Sequence, residues 1–475
     1  MNETTLPLPW DRLLEQIRND TYPASDVILR EAKGKDGKRM LIAYLQGSVD
    51  ANRLEEHLIQ PMMTKSPTSV VQGMLNAETV DDYKKALNAI YLGQVLLFVD
   101  ESPCAYAFPV PSTSARSIQE PSTEAVIRGP REGFIERIDT NLALVRNKVR
   151  TPQLKMESFR LGSESQTKVV LAYHEGISRK DVIAEVRKRL QNVRLDSVLE
   201  SGYVQELIEG NPRSIFPQML YTERPDTVAG QLMEGRFAVF VDGSPFVLTG
   251  PTTFWQMLHS AEDYYEKYSF STFLLLLRYI LLFLALFLPA IYVATITFHH
   301  DLLPTSLLLS IAAAREAIPF PALIEALIME VSFEALREAG IRLPKTVGQA
   351  VSILGALVIG QAAVQAGIVS APMVIVVSMT GIASFTVPRF NFGIAIRLLR
   401  FPLMILAGMF GLYGMIVGTL LIATHLCSLS SFGVPYMSGI APLRPAELKD
   451  ILMRAPWFRM RRRPTVAEQG RRRRF

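Results

Sequence analysis

The chain has 475 residues, 49% of them hydrophobic and 20% charged, with a formal net charge of +5. Its two cysteines, Cys104 and Cys427, exclude a disulfide framework. The positive excess does not point to nucleic acid: much of it lies in 459–463 and 471–474, and basic clusters beside long apolar runs mark the cytoplasmic side of a membrane.

The N-terminus, from Met1 to Gln16, lacks a basic region followed by an apolar core, so no signal peptide is predicted and the first half is expected in the cytosol. Up to about residue 268 charges are frequent and apolar runs short. Two of these runs recur. Leu41–Gly47 (LIAYLQG) resembles Val170–Gly176 (VLAYHEG), and Gly93–Pro103 resembles Gly235–Pro245, in the same order. Each reads as a short buried strand stopped by a Gly or Asp-x-Ser-Pro turn. The repeat predicts two related α/β subdomains, 1–115 and 116–268, joined by a loop at Pro109–Pro121. Between the strands lie amphipathic helices. Arg179–Leu190 places Val182, Ile183, Val186 and Leu190 on one face.

Residues 269–430 predict an all-α polytopic membrane domain, and 431–475 a basic C-terminal tail. About 20 apolar residues cross a bilayer. Phe270–Phe298, Val347–Ile368, Pro372–Val387 and Phe401–His425 meet that length or come close. Leu302–Ala314 is shorter and fits a re-entrant or interfacial helix, and Pro319–Gly340 is long enough but carries four carboxylates. If Pro319–Gly340 crosses, five spans result, and the arginine-rich tail falls on the side opposite Arg389, Arg397 and Arg400. If it does not cross, the tail is inside and those three arginines are outside. Neither count satisfies the positive-inside rule throughout.

No P-loop, dinucleotide fingerprint, Cys-x-x-Cys or HExxH is present, so no enzyme, cofactor or metal site is expected. His299 and His300, at a membrane edge, read as solvated interfacial residues. Glu330, Glu334 and Glu338 recur every fourth residue and share a helical face, with Glu325 nearby. Carboxylates in a membrane mark an ion path or are paired, so Glu325, Glu330 and Glu334 form either a cation-attracting face or the wet side of an interfacial helix. In the next helix Leu354, Leu357, Gln361 and Gln365 share a stripe, apolar at one end and amide-lined at the other. A ring of such helices gives a pore gated by dewetting; ordinary helix packing with hydrogen-bonded glutamines is the other reading.

Twelve short motifs, spread over residues 115–460, carry a family resemblance. In the first half they are Glu120–Glu124, Arg128–Pro130, Asp139–Arg146, Glu223–Asp226, Val241–Val247 and Glu262–Glu266. In the second half they are Ala314–Glu316, Pro319–Pro321, Arg337–Pro344, Ile359–Val364, Ala383–Pro388 and Ser431–Tyr436. The chain resembles the A-subunit family of GerA-type spore germinant receptors. That resemblance implies residence in the spore inner membrane and assembly with a transporter-like B subunit and a lipoprotein C subunit. It also implies homo-oligomers that release monovalent cations when a nutrient binds. The stage V sporulation protein AF group shares the motifs, and a non-conducting scaffold is a further alternative.

Overall fold

Short apolar runs in the first 250 residues build two five-stranded antiparallel sheets. The structure is a computed structural model that describes residues 6–66, 70–71, 77–110, 120–121, 123–343, 358, 360–445, 447–460, 463–464 and 467. The first sheet uses β1 (Val27–Lys33), β2 (Arg39–Leu45), β3 (Glu78–Val80), β4 (Gln94–Val99) and β5 (Ala105–Pro109), in the order β1-β2-β4-β5-β3. The second uses β6 (Leu154–Leu161), β7 (Thr167–His174), β8 (Leu220–Thr222), β9 (Phe237–Val241) and β10 (Val247–Gly250), in the order β6-β7-β9-β10-β8. The order is identical copy for copy. The two repeated sequence runs are the paired central strands, β2 with β4 and β7 with β9. Central strands are buried on both faces, which is why their sequences are nearly continuous apolar runs.

Helices cover both sheets. On the first, α1 (Trp10–Thr21) and α2 (Tyr83–Tyr91) bury Trp10, Leu13, Ile17, Ala86 and Ile90. On the second, α3 (Ile138–Lys148) and α5 (Pro225–Met233) pack one face. The other face carries α4 (Lys180–Asn192), whose Val182, Ile183, Val186 and Leu190 are all buried as the period predicts. The two subdomains meet at a buried ion pair. Arg146 Nε and Nη2 donate to the two Asp26 oxygens, each at 2.9 Å, and Arg146 Nη1 donates to the carbonyls of Thr151 and Leu154. The guanidinium also lies over the Tyr91 ring.

The second half is helical. Among the described residues two helices are long and apolar enough to cross a membrane: α6 (Tyr268–Phe298) and α10 (Phe390–Ser428). Between them lie α7 (Thr305–Arg315), α8 (Ala322–Arg342) and α9 (Ala371–Phe385). Many of their outward side chains are large and apolar, among them Phe273, Ile280, Phe283, Ile375, Ile382 and Leu420.

One expected span is corrected. Phe401–His425 is not one straight pass, because Gly411 has φ 60° and ψ −145°, a conformation open essentially to glycine alone. The chain reverses there into two arms, 390–410 and 412–428, about 31 and 25 Å long at 1.5 Å per residue. Gly414 and Gly418 let the arms touch: a Cβ on Gly418 would lie 2.7 Å from the Leu403 side chain. His299 is not merely solvated either; its Nε2 accepts the backbone N–H of Leu412 at 3.2 Å, capping the second arm.

Both ends of the hairpin lie at the sheets. Phe392 packs on Phe254, and His425 bonds Ser214. The chain then forms a two-stranded ladder, β11 (Ser430–Ser431) and β12 (Val434–Pro435), which places Phe432 and Val434 in the core of the second sheet. Residues 430–460 are therefore fastened to the α/β half: Thr252 N–H donates to Ser431, and Tyr264 O–H donates to Asp450.

Candidate functional site: charge pairs within the helices

The helical half buries more charge than an apolar bundle can hold unpaired. Leu323 lies against Gly408 near the hairpin turn, and Arg337 bonds Ser384 at the opposite end of α9. So α8 and α9 both run from the turn end of the bundle back towards the sheets. Along this path each α8 carboxylate meets an arginine.

At the turn end, Glu325 accepts from Arg315 Nε at 3.0 Å and from the Ser370 hydroxyl and N–H at 2.8 and 3.0 Å. About midway along α6, Glu330 pairs with Arg400 at 2.5 Å, both fully enclosed. Arg400 Nε also donates to the Ala285 carbonyl at 2.9 Å. That carbonyl lacks its helical partner because Pro289, four residues on, has no N–H. One arginine thus holds one oxygen of a carboxylate and fills the defect left by a proline. Nearer the sheets Glu334 pairs with Arg397 at 2.7 Å and faces Arg337 at 3.6 Å. Arg337 in turn stacks on Phe385.

Glu325, Glu330 and Glu334, expected to form either a cation-attracting face or the wet side of an interfacial helix, are each paired with an arginine. Two carboxylates, Glu330 and Glu334, meet three arginines, 337, 397 and 400, so the local balance is positive. A ring that draws cations needs free negative charge. Only Glu338, paired with Arg342 at 2.6 Å, is exposed. Arg397 and Arg400 lie more than 60 residues from their acids in sequence, and no local spacing announces them.

Of the amide stripe, Leu354 and Leu357 lie outside the described residues. Gln361 and Gln365 occupy a helical stretch beside α9, and both are exposed.

Where the helices meet the sheets, a second network forms. Arg224, 2% exposed, donates to Asp226 at 2.7 Å and to the carbonyls of Glu124 and Pro130. Asp226 also accepts from the Tyr265 hydroxyl at 2.5 Å, and burial pushes that phenol up. Glu124 pairs with Arg389, the residue before α10. The loop after the first subdomain, the second sheet and the first arm of the hairpin are thereby joined through charges. Among the described residues no group of three or more His, Cys, Asp or Glu side chains is placed to hold a metal.

The chain is similar to several known proteins. The chain is 53% identical over 466 residues to the uncharacterized membrane protein YfkQ of Bacillus subtilis, covering 96% of this chain and 91% of that protein. It is 46% identical to spore germination protein KA of the same organism, over 95% of this chain and 85% of the relative. Spore germination protein GerLA of Bacillus cereus is 38% identical, over 95% of this chain and 94% of the relative. The crystal structure of the N-terminal domain of the A subunit of the Bacillus megaterium spore germinant receptor GerK3 aligns with 54% of this chain and 99% of its own, at 33% identity and a TM-score of 0.43. The family described as Bacillus/Clostridium GerA spore germination protein matches residues 14–466. The chain belongs to that family.

Proposed function

We propose that this chain is the A subunit of a nutrient germinant receptor of the spore inner membrane, and that copies of it assemble into a germinant-gated channel for monovalent cations. The observation that carries the reading is that the amides Gln361 and Gln365 are exposed, while the carboxylates Glu325 and Glu330 are buried and paired. Amides at membrane depth need a polar neighbour, either another helix or a water-filled lumen. A ring of copies supplies both, with Leu354 and Leu357 as the apolar constriction on the same stripe.

The helix directions support a count of six passes. Leading away from the sheets are α6 and the first arm of α10; leading back are α8, α9 and the second arm, and α8 ends on the sheet side while α9 begins on the turn side. An even count keeps the C-terminal residues on the same, cytosolic, side as the sheets. It also places Arg389 and Arg397 towards that side, as the positive-inside rule requires. The turn at Gly411 is the pass that a five-span count lacks.

In this reading a transporter-like B subunit binds the nutrient, a lipoprotein C subunit completes the complex, and the chain itself performs no enzymatic step. A second reading, a non-conducting scaffold, draws on the charge pairs, which clamp α6, α8 and α10 together. A stage V sporulation protein AF-like channel without its own nutrient-binding partner is the nearest variant. Single-channel recording separates conducting from scaffold readings: replacing Leu357 with Ala widens a dewetted gate and raises the resting open frequency, whereas a scaffold stays silent in both forms.

A further inference from the structure

Beside the start of α6 and α10 lies a cavity of about 1300 Å³, walled by the end of α5, residues 253–265 and the C-terminal residues 438–464. Three buried or half-buried nitrogens line it with no partner among the described residues: Arg236 Nε, His259 Nδ1 and Trp255 Nε1. Arg236 is 5% exposed, and its Nη1 donates to the Pro251 carbonyl. Enclosure pushes its guanidinium down, opposed by Glu234, Tyr264, Glu447 and Asp450. Around the cavity six cationic side chains, one of them Arg389 already paired with Glu124, face four carboxylates, Asp226, Glu234, Glu447 and Asp450. Asp226 is already committed to Arg224, and one oxygen of Asp450 to Tyr264.

Buried nitrogens of this kind are normally hydrogen-bonded, and an enclosed guanidinium is stabilised by an anionic oxygen. Two orphan acceptors, Gln256 Oε1 and Asp450 Oδ1, line the same space and call for hydroxyl donors. The aromatic wall of Trp255, Tyr264 and Trp457 lies level with the first turns of α6, where exposed Trp457, Phe458, Leu452 and Met453 present apolar surface. Amphipathic aromatic rings favour the membrane–water boundary.

We propose that this junction cavity binds a phosphate ester carrying free hydroxyls, its phosphate on Arg236 and its hydroxyls on Gln256 and Asp450. The aromatic wall selects an acylated form of it, a hydroxylated anionic phospholipid headgroup, over the free ester. Bound there, the ligand ties the C-terminal segment to the second sheet and to the roots of α6 and α10. This goes beyond the channel reading, and binding to the solubilised chain is measured whether or not that chain conducts.

The test uses the full chain in neutral detergent, with native mass spectrometry and tryptophan fluorescence as readouts. The probes are phosphatidylglycerol, phosphatidylcholine and soluble glycerol phosphate. The site predicts retention of phosphatidylglycerol but not phosphatidylcholine, with Arg236→Met weakening it by about tenfold or more, as loss of a charge-assisted bond implies. Trp255→Phe removes the indole N–H, keeps an aromatic ring of smaller size and weakens binding severalfold, so the test stands if Arg236→Met does not fold. Glycerol phosphate that binds as tightly and competes assigns the site to soluble phosphate esters. Failure of phosphatidylglycerol and of glycerol phosphate to bind, or equal binding by the folded variants, overturns the proposal.

Discussion

Arg400 offers the sharpest test of how the helical half is held together. Its guanidinium, 1% exposed, serves the Glu330 carboxylate and the Ala285 carbonyl at once. Replacing it with Met leaves a buried carboxylate without a counter-ion, which costs about 3–5 kcal/mol when a buried pair is broken. The freed carbonyl adds about 1–3 kcal/mol. Replacing Glu330 with Gln in the same chain removes the orphaned charge and recovers most of the first cost but none of the second. Together the costs are about 4–8 kcal/mol, so at about 2–4 °C per kcal/mol Arg400→Met lowers the melting midpoint by roughly 8–32 °C, and the double variant restores a good part of it. The assay is thermal unfolding of the detergent-solubilised chain, followed by size-exclusion profile, across all four members of the cycle. Additive effects of the two single changes would refute the pairing.

Other predictions follow from the fold. A Cβ at position 411 would sit 2.8 Å from His299 Nε2 and 3.1 Å from Phe298 Cβ, in backbone costing about 1–3 kcal/mol for any other residue, so Gly411→Ala lowers the yield of folded chain while Gly393→Ala, which meets nothing, does not. In sealed vesicles, a protease that reaches the N-terminal sheets also removes a tag placed after Phe475; removal only from the opposite side contradicts six passes. Arg146→Ala strands the Asp26 carboxylate between the subdomains and destabilises the α/β half by about 3–5 kcal/mol, read as an earlier denaturant midpoint. Burial raises the Glu157 carboxyl, but hydrogen bonds from Arg187 at 2.6 and 2.8 Å and from Tyr173 at 2.6 Å outweigh it and hold the group below its usual value. A depressed carboxylate contributes stability above its unfolded value that is lost as pH falls through the folded one. Unfolding below pH ~4 is therefore less acid-dependent in Glu157→Gln than in the parent.

The duplicated α/β architecture was legible because each copy repeats its two central strands as apolar runs ending in a Gly or Asp-x-Ser-Pro turn. The face of α4 was legible because Val182, Ile183, Val186 and Leu190 keep helical spacing. The hairpin was not. Gly411 stands among Gly408, Gly414 and Gly418 in a run with no polar turn residue, and glycine stripes also suit ordinary helix contact. Glu330 and Glu334 advertised a functional face because their partners are remote: only folding brings Arg397 and Arg400 beside them. The same holds for the cavity at the junction, whose Arg236 and Asp450 come together from opposite ends of the helical half. The C-terminal residues read as a basic tail, yet Phe432 and Val434 carry them into the second sheet.

The central claim is ion conduction, and a planar bilayer measures it directly. Purified chain is reconstituted alone and with the proposed B and C subunits, and wild type is compared with Leu357→Ala. The account predicts discrete monovalent-cation openings, gated by nutrient in the complex and more frequent without nutrient in the variant. A folded, oligomeric complex that responds to nutrient elsewhere yet passes no current in either form would contradict it.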